Sequence, residues 1–274
     1  MHKNTRLGKH SVQALSSYNF DSWMHTPRTL VMFVAAILLC FVESRKLFRA
    51  YSIDGNSLNL TESVFLLTST GFNILLSSML FLVMVNELPK RISFQYYALM
   101  RSSRKQWLNS QVLYCVEMVL AFLAILLFCS YAFCACNAAW KAGWSPIMED
   151  ESYGTYRWVS EFLISNFSPF SALLIALIPI AWTWFTITMF ILLMNMFDLG
   201  KLGLIIVAFA LIADYISIQN SLPFSSMQYS TLLSIDSSGN GAKSFAIMIV
   251  LFMVVNSITY IIMRIRVSKM DLNM

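Results

Sequence analysis

The chain has 274 residues, 58% of them hydrophobic and 12% charged, with a net charge of +5. Soluble domains carry about a quarter charged residues, so this composition excludes a single soluble core and predicts an all-α polytopic membrane protein. The basic balance is that of a membrane protein whose cytosolic loops collect Lys and Arg, and nucleic acid is not an expected partner.

Residues 1–28 are polar and basic, with Lys3, Arg6, Lys9 and Arg28. No cleavable signal precedes the first apolar run, so the first helix is expected to stay as an anchor. The stretch Tyr18-Asn-Phe-Asp-Ser-Trp-Met-His25 sets aromatics just before a membrane entry, where a short helix would lie among headgroups. Pro27 suits the first turn of the helix that follows. The first span is read over residues 28–47. Its apolar part, Leu30–Val42, is too short to cross about 30 Å of hydrocarbon, so the helix must continue through Glu43 and Lys46. These two are three residues apart and can pair on one face. The pair marks either an end surfacing among headgroups or a charged cavity.

A polar loop, 48–62, leads to the second span, 63–85. Thr68, Ser69, Thr70, Gly71, Asn73, Ser77 and Ser78 lie in it, and such small and hydroxyl residues serve either close helix packing or a polar translocation wall. The third span, 112–135, carries Glu117 inside it. A carboxylate at that depth faces protein or water, either hydrogen-bonded between helices or on a path. The longest loop, 136–169, holds Trp140, Trp144 and Trp158, an acidic run at 148–152 and a candidate surface helix over 156–167. The fourth span, 171–197, contains Pro179, which removes a backbone donor and favours a kink. Asp198-Leu-Gly-Lys201 is a tight turn that forces the fifth span, 202–218, to run back antiparallel, with Asp214 near its far end. A Ser-rich loop, 219–243, precedes the sixth span, 244–263, and a basic tail.

Six spans put both termini on one side. The segments on that side (the leader, 87–111, 198–201 and the tail) hold 13 Lys and Arg, and the opposite segments hold 6. The bias toward basic cytosolic loops assigns the termini and 87–111 to the cytosol. The expectation is one transmembrane domain over 1–274, with Glu43, Asn73, Glu117 and Asp214 as candidate intramembrane polar or translocation-path residues.

Enzymatic chemistry finds little support. Ser237-Ser-Gly-Asn-Gly-Ala-Lys-Ser244 lacks both glycines that a phosphate loop needs, with Ser237 and Ala242 in their places. His2, His10 and His25 all lie in the leader, and neither H-E-x-x-H nor G-x-S-x-G occurs. Cys40, Cys115 and Cys129 sit in apolar runs, and Cys134 and Cys136 form a C-x-C with no second pair to complete a zinc site. No catalytic, cofactor or metal residues are assigned. The sequons at Asn59 and Asn166 matter only where a glycosylating pathway exists.

The stretch 87–111 is the densest charge between two membrane-length apolar runs, with Lys90, Arg91, Arg101, Arg104 and Lys105 interleaved with Tyr96, Tyr97 and Trp107. After Pro89, residues 93–111 can form a helix with an aromatic face and cationic flanks. Such a helix suits an anionic leaflet or a groove in a cytosolic partner. The run Tyr97-Ala-Leu-Met-Arg-Ser-Ser-Arg-Lys-Gln-Trp107 resembles the Arg-x-Gly/Ser-Ser-Arg-x-x-Trp segment after the second span of bacterial permease subunits of ATP-binding-cassette transporters, the type-2 exporter class. Ser102 stands where that pattern often has glycine. The opening Trp23-Met-His-Thr-Pro-Arg-Thr29 is similar to their amphipathic elbow.

The resemblance implies a bacterial plasma-membrane permease that pairs with an identical or homologous subunit. It also implies docking of a separate cytosolic ATPase, which would bind the ATP and Mg, through a coupling helix after the second span. Tyr97, Arg101, Ser103, Arg104 and Trp107 would be its coupling positions, and a peptide or amphiphile its exported cargo. Two other readings stand beside it: an ion-coupled carrier using Glu43, Glu117 and Asp214, and a membrane scaffold or immunity protein.

Overall fold

The computed structural model describes residues 3–54, 58–69, 71–86, 88, 103–136, 138–149, 161–219 and 240–269. Apolar sequence in a membrane must satisfy its backbone internally, and the described chain is mostly helical. Helix α1 spans Lys3–Met24. Thr26 closes the turn after it, its hydroxyl donating to Trp23 O at 2.7 Å, and α2 (Pro27–Asp54) opens on a proline. α3 (Glu62–Ser69) and α4 (Gly71–Val85) follow. α5 (Arg104–Cys134) is the longest helix described, at 31 residues. Two short helices, α6 (Pro146–Glu149) and α7 (Glu161–Asn166), lead to α8 (Pro169–Met196). α9 (Gly200–Gln219) and α10 (Asn240–Lys269) complete the chain.

Among the described residues, four helices are long and apolar enough to cross a membrane: Pro27–Lys46 within α2, α5, α8 and Ile249–Lys269 within α10. The chain is therefore a multi-pass helical membrane protein. The expected second span is divided into α3 and α4, of which α4 is a shorter apolar helix.

Two expectations are corrected, and one small pairing is new. α2 runs on to Asp54, through much of the expected loop 48–62. α5 begins at Arg104, eight residues before the expected boundary, because Ser103 caps it there; residues 104–111 thus belong to the long helix and not to a separate surface helix. The fold also contains a small parallel pairing between β1 (Leu58–Asn59) and β2 (Ala138–Ala139), which apolar periodicity does not announce.

α5 is the central post. α1, α2, α3, α8 and α10 all pack on it, and α9 packs on α4 and α8. Its heart is an aromatic triad. Phe81 of α4 stacks on Trp184 of α8 with centroids 5.1 Å apart. Phe122 of α5 closes the group at 5.0 Å from Trp184 and 5.5 Å from Phe81. Such pairs add about 0.5–1.5 kcal/mol beyond area burial. Trp184 Nε1 donates to Ser78 Oγ at 2.9 Å, so the indole buries without an orphan donor. A second apolar cluster gathers Phe65, Trp144, Met148, Leu163 and Leu173. Pro179 is accommodated inside α8, which continues as one element.

Candidate functional site

The described residues gather polar chemistry at two opposite ends of the bundle, with scattered polar groups between them.

At the basic end, four helix termini are tied together. Ser103 forms a capping box: Gln106 N donates to Ser103 Oγ at 3.2 Å, and Ser103 N donates to Gln106 Oε1 at 3.0 Å. Arg104 of α5 donates to Ser268 O of α10. Its guanidinium thus meets the negative end of that helix's dipole. Arg266 does the same for α8, donating to Met196 O at 3.4 Å and lying 5.1 Å from the Phe197 ring centroid. Asn195 donates to Asn86 O at 3.3 Å and to Leu88 O. It pins the exit of α4 to the last turn of α8. The turn that follows needs Asp198 at φ 61°, a left-handed conformation that Asp tolerates better than most residues. The approach is close. A Cβ on Gly200 would lie 1.8 Å from Asn195 Oδ1.

The coupling candidates divide at this end. Tyr97 and Arg101 lie outside the described residues. Ser103 and Arg104 hold the start of α5. Trp107 is 5% exposed and belongs to the main core cluster. It therefore packs within this chain and is not presented as a docking aromatic. Trp107 Nε1 and the Gln111 amide one turn on are buried without a hydrogen-bond partner.

Between the ends, the intramembrane candidates sit on four different helices. Glu43 of α2 is buried, and Lys46 Nζ donates to it at 2.5 Å, so the expected pair forms. Glu117 of α5 accepts from Ser16 Oγ of α1 at 2.8 Å. This is the interhelical bond that one reading of the sequence allowed, with a partner from the polar leader. Asn73 is buried on α4 and Asp214 half-buried on α9. Their helices meet where Phe72 contacts Tyr215, centroids 6.3 Å apart. The hydroxyls of α3 and α4 serve packing: Thr68 donates to Phe65 O at 3.3 Å, Ser77 to Ile74 O at 3.0 Å, and Ser78 accepts from Trp184. A cavity of about 20 Å³ beside Thr68 and Ser77 has room for about one water.

The opposite end holds a network that the sequence reading missed. Glu62, fully buried at the start of α3, accepts from Ser145 N and Ser145 Oγ, both at 2.7 Å, and from Asn59 N at 3.2 Å. Asn59 Nδ2 donates to Lys141 O and Gly143 O, each at 2.7 Å, and Asn59 Oδ1 accepts from Thr61 Oγ1 at 3.0 Å. Leu60 N donates to Ala139 O at 3.0 Å beside the β pairing. Trp144 Nε1 donates to Phe167 O at 2.9 Å, and its ring lies 5.6 Å from Phe65. Burial raises the Glu62 carboxyl above its ordinary value, against the bonds from Ser145 and Asn59 that favour the charged form. The Asn59 side chain is 1% exposed and its amide is fully engaged, so this sequon is closed in the folded protein. Asn59 and Glu62 have the spacing of a capping box, and that spacing was the signal available in the sequence.

No family model, curated protein or solved structure matches the chain.

Proposed function

We propose that this chain is the membrane subunit of an ATP-binding-cassette exporter, working as a pair and driven by a separate cytosolic ATPase. The cargo would be a peptide or an amphiphile. The observation that carries the reading is where the basic stretch 87–111 joins the bundle. It leaves α4 at Asn86–Leu88, which Asn195 pins to α8, and re-enters at Ser103–Arg104, which Arg104 ties to α10. A push on this stretch is therefore delivered to α4, α5, α8 and α10 together. That is the mechanical property required of a coupling segment, and the resemblance at Arg101, Ser103, Arg104 and Trp107 supplies the kind of partner.

In this reading Arg101 meets the ATPase. Ser103, Arg104 and Trp107 set the stiffness of the helix that receives the force. The basic end is cytosolic, and α1 with its turn at Thr26 serves as the elbow.

Co-purification tests the proposal. The chain, expressed in its own host, should retain a cytosolic ATPase through affinity purification. Arg101→Glu should lower capture at least several-fold while membrane level and thermal midpoint stay at wild type. Failure of the wild type to hold any ATPase, or equal capture by the variant, overturns the docking assignment.

A further inference from the structure

Helix α2 carries a stripe of exposed residues that changes character along its length. Val31, Val34, Leu38, Phe41 and Val42 follow one another at helical spacing and are all exposed, so they form the face that α2 turns to lipid. The opposite face packs inward, with Ala36, Leu39, Cys40 and Glu43 buried. The exposed stripe then continues into Arg45 and Arg49. Two cations therefore stand on the lipid-facing side of a helix whose apolar part has ended. We propose that Arg45 and Arg49 form a binding surface for the phosphate groups of anionic phospholipids in the adjoining leaflet.

Helix length sets the height of the pair. The rise from Arg28 to Arg45 is about 26 Å, against about 30 Å of hydrocarbon. Arg45 thus leaves the helix at the hydrocarbon edge and extends outward to the phosphate level, as long cationic side chains do where an apolar run is short. Arg49 stands one turn further out. The neighbouring aromatics mark the same boundary. Phe41 meets Phe133 near the end of α5, with centroids 5.5 Å apart. On α8, Phe170, Leu174 and Ile178 form a second exposed apolar stripe at four-residue steps. Trp140 is 64% exposed beside Phe170, centroids 6.5 Å apart, a place suited to the headgroup layer.

Charge and continuity select the occupant. Lys46 is engaged by the buried Glu43, at 2.5 Å. Among the described residues neither Arg45 nor Arg49 has a carboxylate partner. Four residues apart, they lie side by side on the helix surface, and each guanidinium can donate two parallel bonds to a phosphate. Because the pair prolongs the stripe that lipid covers at Leu38 and Phe41, the anion at its height is the headgroup of that lipid and not a phosphate from solution.

Native mass spectrometry of the chain in detergent and phosphate-free buffer, titrated with phosphatidylglycerol or phosphatidylcholine, reads the surface. A cation near an anionic lipid surface is worth about fivefold in affinity. Wild type should therefore bind phosphatidylglycerol several-fold more tightly than phosphatidylcholine. Arg45→Gln with Arg49→Gln should weaken phosphatidylglycerol at least fivefold and leave phosphatidylcholine nearly unchanged, and Arg45→Lys with Arg49→Lys should recover most of the loss. Lys105 and Lys201, exposed at the basic end, supply the control: their paired Gln variant should lose clearly less. Wild type with no preference for phosphatidylglycerol, equal losses in the two Gln pairs, or displacement of the lipid by added inorganic phosphate would each overturn the proposal. The first and third are read on the unmodified chain, so they decide the matter even where a variant does not fold.

Discussion

The two ends of the bundle are held by opposite means. At the basic end, cations and an amide reach to backbone carbonyls at or just past helix ends: Arg104 to Ser268 O, Arg266 to Met196 O, Asn195 to Asn86 O and Leu88 O. The donors are spread over three helices, and the guanidiniums keep part of their surface in solvent. At the other end one buried carboxyl group collects donors from two loops. Glu62 collects three hydrogen bonds with no solvent exposure. The first arrangement tolerates the loss of a member, since exposed charge pairs contribute about 0–1 kcal/mol. The second does not, because removing the acceptor strands every donor aimed at it.

Glu62→Ala is the strongest way to break this comparison. It leaves Ser145 N, Ser145 Oγ and Asn59 N facing an apolar void, and each stranded buried donor costs about 1–3 kcal/mol. Thermal unfolding in detergent should show a loss of about 3 kcal/mol, well above any single cation removed at the basic end. Equal losses at the two ends would show that burial does not distinguish them.

Gly200→Ala puts strain on the other end. Its Cβ would fall 1.8 Å from Asn195 Oδ1, so Asn195 must swing away and release the carbonyls of Asn86 and Leu88. The cost should be about 2 kcal/mol, within the range for overpacking. Asn195→Ala would relieve the clash, so the double variant should lose less than the two single losses combined. Strict additivity would show that Asn195 is not the residue in the way.

The sequence displayed these regions unequally. The long apolar helices were legible because about 20 apolar residues in a row have few other solutions. The Glu43–Lys46 pair was legible too, being three residues apart on one helix. The start of α5 was not legible from apolar length, although Ser103-x-x-Gln106 carries the spacing of a capping box, because Arg104, Lys105, Gln106, Asn109 and Gln111 make its first turns polar. The Glu62 network was illegible in its long-range half. Asn59 and Glu62 announce a local cap, but nothing in the sequence says that Ser145 will arrive from 83 residues away. Trp144 and Trp107 show the same limit: aromatic residues near a membrane surface suit the headgroup layer and the core alike, and the fold buries both.

Glu117 supplies the smallest effect and the finest distinction, because it belongs to neither end. It is half-buried in α5, and its described bond is to Ser16 Oγ at 2.8 Å, from a helix whose sequence is polar. Ser16 is itself fully buried, so α1 is held against α5 at this point by a hydroxyl and not by charge. Ser16→Ala should cost about 1 kcal/mol, a single hydrogen bond to a carboxylate whose remaining surface can still find water. Glu117→Gln should cost less, since an amide oxygen can accept the same hydroxyl proton. Thermal midpoints of the two variants against wild type measure both. If Glu117→Gln were the more damaging, the carboxylate's charge would have a partner beyond Ser16, and α1 would be more than a helix resting on the bundle.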